Sequence, residues 1–249
     1  MDLLKYSYRL ESSLCPPVEY HSFKLRAIPM ECSFQHRLEC SIDITPPCVL
    51  SHAVDAFGND VQWGNLTEAH TLFSIESRGT VETGDYLVED KCPADYYLFP
   101  TALTGWNEDI RKMFQGAGPA EIMHRVHSLL TYERFMTDNS TTAIDVFLSR
   151  KGVCQDYAHL MIAACRSVGL RARYVNGLTL GEGETHAWVE VHDGEGLWRG
   201  YDPTLDTEIR KGYLKFAHGR DVSDCPSNRG RFYGWTTERM IVNCKLETS

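Results

Sequence analysis

The sequence predicts an α+β fold, in which an amino-terminal antiparallel β domain precedes a region of helices and antiparallel strands. Short runs rich in β-branched and aromatic residues, such as YSYRL and HSFKLRAI, fill the first third of the chain. Residues 119–169 instead repeat apolar residues at intervals of three or four, and three strand-like runs follow them. This grouping of strands and helices is typical of α+β proteins. We place the domain boundary between residues 95 and 96, giving domains of 1–95 and 96–249.

Residues 6–88 predict antiparallel strands with one solvated face. Several runs alternate apolar with polar residues, and turn-forming pieces at 46–47 (PP) and 57–60 (FGND) separate them. The histidines of this region lack partners at ligand or base spacing, so we expect structural or solvated roles for His36, His52 and His70. No chemistry is predicted here.

A connector and a helix follow. Between residues 89 and 118 the alternation fades, and TGWNEDIRKMF predicts one short helix. Pro119 suits the first turn of the next helix, in which apolar residues recur at helical spacing up to Leu130. His124 and His127 lie three residues apart there, but no further ligand set follows. We therefore predict no metal site.

Two more helices precede the final strands. The Ser and Thr residues of DNSTTA can cap a helix over 143–150, which ends at Gly152. The segment CQDYAHLMIAACRSVG then predicts a helix with one apolar stripe that includes Cys165. Three runs separated by Gly-rich turns, RARYVNGLTL, THAWVEVHD and LWRGYDPT, predict an antiparallel meander.

Composition and charge narrow the class of protein. A hydrophobic share of 43% with 24% charged residues is typical of a soluble globular protein. The formal net charge of -9 opposes attraction to nucleic-acid phosphates and anionic lipid surfaces. The amino terminus shows no apolar core of signal-peptide length, and no apolar run approaches membrane-spanning length. We expect a cytoplasmic protein without nucleic-acid or membrane partners, and the sequence predicts no oligomeric state.

The nine cysteines contain no CxxC pair, so neither a zinc site nor a disulfide framework is predicted. A cysteine is usually a small buried apolar residue, and Cys165 fits that description. Cys154 differs because it opens a helix directly after Lys151-Gly152-Val153. Unpaired N–H groups of a first helical turn favour an anion, and a nearby imidazolium favours a thiolate further. We predict that Cys154 is a nucleophile and that its backbone N–H is one oxyanion donor; the sequence identifies no second donor.

His186 is the predicted base. It begins a strand on which His186, Trp188, Glu190 and His192 share one face, with His192 as the reserve candidate. The next strand brings Asp202 alongside, where a carboxylate can accept the other imidazole N–H and fix the tautomer. The alternatives are a solvated strand histidine at 186 and a turn-capping aspartate before Pro203.

Four further residues are candidate substrate-binding residues: Gln155, Asp156, Tyr157 and Trp188. The first three occupy the first helical turn beside Cys154, although Asp156 could equally serve the helix dipole. Trp188 shares a strand face with His186, where an aromatic residue more often packs in a core. His159 lies five residues beyond Cys154, which turns it away from the sulfur, so we interpret it as structural.

Three motifs in order resemble the bacterial transglutaminase-like superfamily of papain-like thiol enzymes: GVCQDYAHLMIAACRSVGLRARYVNG, HAWVEV and GLWRGYDPT. The resemblance extends over about residues 119–204, and the family's triad falls on Cys154, His186 and Asp202. DAFGNDVQW and AHTLFSIES resemble the β domain that precedes the catalytic domain in one bacterial branch, and the carboxyl-terminal segment also resembles that branch. The resemblance implies that residues 96–249 form a transglutaminase-like, papain-like catalytic domain with helices packed on an antiparallel sheet.

The same resemblance implies chemistry at amide bonds of a peptide or protein substrate, without a cofactor. The superfamily includes protein cross-linkers, amidases, peptidases and non-catalytic relatives. We expect a cysteine peptidase or amidase, because Gly-rich turns on both sides of the His186 strand predict an open rim that admits water. Transfer to amines, as in a true transglutaminase, and a non-catalytic binding module are the alternatives.

Overall fold

The amino-terminal region consists of antiparallel strands. The computed structural model describes residues 1–138 and 140–249. The first strands are β1 (Asp2–Val18), β2 (Tyr20–Leu25), β3 (Gln35–Thr45), β4 (Ser51–Val54), β5 (Asp60–Leu66), β6 (His70–Thr83) and β7 (Leu87–Glu89). Alternate residues of β1 from Leu4 to Leu14 are buried, which is the burial expected of strands with one solvated face. The predicted antiparallel β region is confirmed.

The middle of the chain is helical. After a short 3₁₀ turn at Asp95–Leu98 come the helices α1 (Glu108–Phe114), α2 (Pro119–Leu129), α3 (Ala143–Ser149) and α4 (Cys154–Ser167). Thr142 and Asp145 form a capping box at the start of α3, whereas Asn139 of the DNSTTA motif lies outside the described residues. A parallel pair, β8 (Thr131–Tyr132) and β9 (Lys151–Gly152), joins the chain before α4 to the chain after α2. In the described part of the chain, no helix is long and apolar enough to span a membrane.

The predicted meander forms the centre of a six-stranded sheet. The remaining strands are β10 (Ala172–Thr179), β11 (Gly181–Gly183), β12 (His186–His192), β13 (Leu197–Asp202), β14 (Thr207–Glu208), β15 (Tyr213–Gly219), β16 (Asn228–Tyr233) and β17 (Thr237–Thr248). The sheet order is β14-β13-β12-β10-β15, and β7 also pairs with β13. The sheet therefore places the start of β12 near the end of β13, where the predicted base and acid lie.

Helix α4 packs across this sheet and is enclosed by α1, α2 and α3. The sequence predicts a single apolar stripe along α4, but every residue from Asp156 to Ser167 is buried. The polar residues of the helix find internal partners: Arg166, for example, donates hydrogen bonds to the backbone oxygen atoms of Tyr97 and Ala172. Helix α4 is thus a rigid central element that carries Cys154 at its exposed end.

The last two strands return to the amino-terminal region. β17 pairs with β1 from Leu4↔Thr248 to Cys15↔Thr237, and β16 pairs with β2. A five-stranded sheet, β11-β17-β1-β6-β3, and a four-stranded sheet, β16-β2-β5-β4, result. The boundary at residue 95 stays a prediction, but residues 228–233 and 237–248 are hydrogen-bonded into the amino-terminal sheets. Because β11 also joins β17, these sheets reach the segment directly before His186.

Candidate active site

Cys154 is held at the first position of α4 by the residues around it. Val153 is the N-cap, with an extended backbone, and its N–H donates to Asp156 Oδ2 over 2.8 Å. A Cβ at Gly152 would lie 2.5 Å from the Cβ of Asp156, so only glycine lets the Asp156 side chain fold back there. Thr137 Oγ1 donates to the same carboxylate over 2.7 Å. The half-buried Cys154 therefore lies beside the free N–H groups of a helix start.

His186 and Asp202 form the contact predicted from the sequence. His186 Nε2 lies 2.6 Å from Asp202 Oδ2, with the carboxylate fully buried and the imidazole 15% exposed. The second carboxylate oxygen accepts the backbone N–H groups of Thr204 and Leu205. Tyr213 donates its hydroxyl to Oδ2 over 2.9 Å. The carboxylate is thus fixed from three sides, and it fixes the imidazole.

The pKa of His186 shows what this environment favours. Burial by itself lowers the pKa, but hydrogen bonds to Asp202 and Cys154, with the charges of both, raise it to about 10. Because Nε2 is occupied by Asp202, Nδ1 is the ring nitrogen left for the thiol. The site therefore favours an imidazolium beside Cys154, as a thiolate nucleophile requires.

A surface cleft of about 390 Å³ exposes Cys154 and His186. One wall is formed by residues 132–137, and the other by residues 179–185 before β12. An ion pair between Arg134 and Glu184, 3.6 Å long, joins the two walls across the cleft. Phe135 is 97% exposed and has a left-handed backbone, with φ of 65°. A bulky residue in that conformation at a cleft rim is a candidate for substrate contact.

Tyr132 also lines the cleft and was not identified from the sequence. The parallel pairing of β8 with β9 sets Tyr132 opposite Gly152, two residues before Cys154. Burial raises the pKa of the Tyr132 phenol, and the charge of Cys154 raises it further. A phenol that stays protonated near the sulfur can donate a hydrogen bond to a reacting group. The sequence signal was an isolated aromatic, which local pattern does not distinguish from packing.

Three of the four residues expected to bind substrate are buried, and their role in substrate binding stays a prediction. Asp156, Tyr157 and Trp188 are at most 3% exposed, and none of them lines the cleft. Asp156 orders the start of α4, and Trp188 packs behind His186 with its ring centroid 6.4 Å from the imidazole. Gln155 is half-buried beside Cys154 and does not line the cleft, so its role in substrate binding stays a prediction.

The polar face of β12 proves to be a buried charge network. Glu190 is fully buried between Lys215, at 2.8 Å, and Arg173, at 2.5 Å. Tyr86 donates to Glu190 and accepts the indole N–H of Trp188. Burial alone raises the pKa of Glu190, but the two cations lower it to about 2. The sequence predicted a functional face here because alternation looks the same for solvated and for internally paired polar residues.

The other histidines singled out by the sequence have structural contacts. His192, the reserve base, bonds the carbonyl oxygen of Asp90 at the far end of β12. On α2, His127 bonds the carbonyl oxygen of Pro203, and His124 bonds Asp206 over 2.8 Å. These two contacts tie α2 to the turn that follows Asp202. His159 is fully buried, and its Nε2 accepts the backbone N–H of Val222.

Comparison with known proteins now defines the family. Residues 107–203 match the core of the transglutaminase-like superfamily, and residues 5–82 match the bacterial transglutaminase-like N-terminal region. An uncharacterized protein of Mycobacterium tuberculosis is 37% identical over 261 residues, which cover 85% of this chain and 80% of the relative. The chain belongs to the transglutaminase-like superfamily. A Mycobacterium leprae protein, also uncharacterized, is 29% identical over 214 residues, covering 73% of this chain and 75% of that protein.

A solved structure shares the fold of this transglutaminase-like protein. It is the "Putative Cysteine Protease" of Cytophaga hutchinsonii, which aligns with a TM-score of 0.79 over 98% of this chain and 90% of that chain. The sequence identity is 22%, so the likeness concerns the fold. The predicted papain-like arrangement with an amino-terminal β region is confirmed. The matched superfamily core includes Cys154, His186 and Asp202.

Proposed function

We propose that this transglutaminase-like protein is a cysteine peptidase or amidase that cuts amide bonds through an acyl-thioester. The observation that carries the proposal is the 2.6 Å contact between the buried Asp202 and His186, which lines the same cleft as Cys154. A nucleophile, a base and a group that orients the base are the components of a catalytic triad. Each lies on a different element, α4, β12 or β13, and most residues of these three elements are buried.

The reaction starts from the ion pair in which His186 Nδ1 has already taken the proton of the Cys154 thiol. The thiolate attacks the carbonyl carbon of the amide, and the carbonyl oxygen becomes an oxyanion. His186 then gives its proton to the amide nitrogen, the C–N bond breaks, and an amine leaves. Water, deprotonated by His186, attacks the resulting thioester. The carboxylic acid is released, and the ion pair between His186 and Cys154 is restored.

Two groups are available to stabilise the oxyanion. The backbone N–H of Cys154 is in the first turn of α4, where it has no acceptor within the helix. We assign the second donation to the phenol of Tyr132, which lines the same cleft as Cys154. Preorganised donors of this kind contribute strongly to acyl transfer because they face the charge that develops in the transition state.

The form of the cleft favours water over an amine as the group that resolves the thioester. Its walls are exposed segments: the Arg134 and Glu184 side chains that bridge them are 57% and 63% exposed. Efficient transfer to an amine requires a site that shields the thioester, because water is present at a far higher concentration than any protein amine. Hydrolysis is therefore the proposed outcome, and amine transfer is the second candidate.

A substrate screen with product analysis tests the proposal. The wild-type chain and Cys154→Ala would be incubated with a peptide and amide library, with and without a millimolar primary amine. We expect a product mass of the free acid with the wild type and no product with Cys154→Ala. A dominant amine adduct would identify a transglutaminase and refute the hydrolase. Equal products with both proteins would exclude Cys154 from the chemistry.

A further inference from the structure

A second large depression lies on the outer face of the four-stranded sheet. One cavity measures about 600 Å³ and runs into another of about 360 Å³, and both are lined by Lys24, Asp55 and Trp63. Neither shares a lining residue with the active-site cleft. We propose that the two cavities form one docking groove for an acidic segment of a partner polypeptide, with an apolar side chain following the acidic residues.

Unpaired cations border the larger cavity. Arg229 stands opposite Lys24 in the β16–β2 register, and Arg231 follows on the same face of β16. All three side chains are exposed, and none of them makes an ion pair with any residue that the structure describes. On a chain whose net charge is -9, such a concentration of free positive charge selects for carboxylates at this place.

The acidic residues of the same cavity are already neutralised. Asp55 accepts hydrogen bonds from Nε and a terminal nitrogen of Arg26, at 3.1 and 2.8 Å. Asp224 accepts two side-chain nitrogen atoms of Arg220, at 2.8 and 3.0 Å. These carboxylates therefore do not cancel the charge of the exposed cations. The groove retains an excess of positive charge for an incoming ligand.

The other half of the groove is apolar. Trp63 stands opposite Lys24 in the β2–β5 register and is 37% exposed. Beyond it, the smaller cavity is bordered by Ala53, Val54 and Val61, of which Val54 is 62% exposed. Burying this surface under a leucine or an aromatic side chain would be favourable. A ligand with acidic residues at one end and an apolar residue at the other fits both halves.

The strand order gives the spacing of those residues. Arg229, Lys24 and Trp63 lie in one row across β16, β2 and β5. Neighbouring strands are about 4.8 Å apart, so the row from Arg229 to Trp63 spans roughly 10 Å, which an extended peptide covers in about three residues. The ligand should therefore carry its apolar residue about three positions from its acidic residues.

The two-part character of the groove favours a polypeptide over a nucleic acid. Nucleic acids carry a charge at every repeat, and their affinity grows with the number of phosphates neutralised. Here the cations end at Trp63, and the remaining surface is apolar. The overall negative charge also repels a long polyanion. A short acidic peptide with one apolar anchor avoids both difficulties.

Fluorescence anisotropy of a labelled peptide tests the groove directly. The probe has two adjacent aspartates and a leucine three residues further on, and the full chain carries Cys154→Ala so that the probe stays intact. We expect saturable binding that weakens as salt rises, and weakens at least about tenfold in Arg229→Glu/Arg231→Glu. The control Arg111→Glu/Lys112→Glu, which reverses two exposed cations on α1, should bind like the parent.

Further binding experiments with altered variants and probes distinguish the proposed peptide from other ligands. Trp63→Ala should weaken binding of the leucine probe and leave a serine-for-leucine probe unaffected. The proposal fails if the probe does not bind, if lysines replace the aspartates without loss, or if an oligonucleotide of equal charge binds more tightly. Circular dichroism would establish that each variant is folded. In groove variants that retain Cys154, thiol labelling of this residue should be unchanged. A failure of the groove proposal would therefore not affect the proposed thiol chemistry.

Discussion

Tyr213 donates its hydroxyl to Asp202 Oδ2, the same oxygen that contacts His186. The two distances are 2.9 Å and 2.6 Å, and the carboxylate that joins the two partners is fully buried. A carboxylate held in this way cannot rotate without losing two side-chain contacts and two backbone hydrogen bonds at once. Tyr213 is therefore a positioning residue for the imidazole.

Tyr213→Phe should lower kcat about tenfold while KM changes little, because the variant loosens Asp202 without touching the cleft wall. Tyr201→Phe is the matched control: its hydroxyl makes no side-chain hydrogen bond with the described residues. Steady-state kinetics over a range of pH measure both. An equal loss in the two variants would mean that the hydroxyl of Tyr213 serves general stability only.

Selective alkylation should identify Cys154 among the nine cysteines. We expect iodoacetamide at mildly acidic pH to label Cys154 first, because only this thiol has both a helix start and an imidazolium partner. The exposed Cys15, Cys40 and Cys92 are internal controls for accessibility. Peptide mapping by mass spectrometry identifies the labelled cysteines.

The same experiment distinguishes an enzyme from a binding module. His186→Ala should remove the preference for Cys154, and Asp202→Asn should weaken it. Uniform labelling of the exposed cysteines in the native chain would contradict a poised thiolate. A non-catalytic relative has no need to keep such a group, so the result bears on function as well as on geometry.

Local sequence pattern predicted the positions of His186 and Asp202 but not the residues from distant strands that hold this part of the sheet in place. Alternation over HAWVEVH and the strand-like run that ends before Pro203 place these two residues on adjacent strands. Tyr213 reaches Asp202 only because β15 returns to the sheet beside β10, and Lys215 reaches Glu190 by the same route. Pairing of distant strands is decided by tertiary packing, which a local pattern does not contain.

The role of the carboxyl-terminal strands was hidden for the same reason. The run MIVNCKLE has the alternation of a strand, but nothing in it shows that it pairs with the first strand of the chain. Leu246 pairs with Tyr6 and, on its other side, with Gly181 beside the active-site cleft. Trp188, expected to contact substrate, is fully buried, because an aromatic near a catalytic residue can equally be part of the core.

The buried network behind His186 should be important for stability. Lys215→Met leaves Glu190 with one cation instead of two, and breaking a buried pair in this way typically costs about 3–5 kcal/mol. Lys211→Met, on an exposed side chain, is the control and should be nearly neutral. Urea unfolding gives both free energies. A loss below about 1 kcal/mol for Lys215→Met would show that Arg173 alone satisfies Glu190.

The raised pKa of His186 predicts how stability depends on pH. The folded-state pKa of about 10 exceeds the ordinary value of 6.5, so the protonated imidazole stabilises the fold. This contribution is fully present below about pH 6.5 and is lost as the pH rises through about 10. The difference in unfolding free energy between the wild type and His186→Ala should therefore shrink over that interval. A constant difference would contradict the thiolate–imidazolium pair.

The last prediction concerns the second oxyanion donor. Removing one such donor typically lowers kcat about 10²–10³-fold, because the interaction forms only as the oxyanion develops. Tyr132→Phe should therefore reduce kcat strongly and leave KM nearly unchanged, while the ring still fills the cleft wall. Tyr157→Phe is a matched control, since its ring lies 6.4 Å from that of Tyr132 but is buried and does not line the cleft. Two measurements separate oxyanion stabilisation from thiol reactivity: steady-state kinetics on a hydrolysed peptide and alkylation of Cys154. Alkylation forms no oxyanion, so Tyr132→Phe should label at the wild-type rate. If kcat is unchanged, or if alkylation slows in parallel with it, Tyr132 does not donate to the oxyanion.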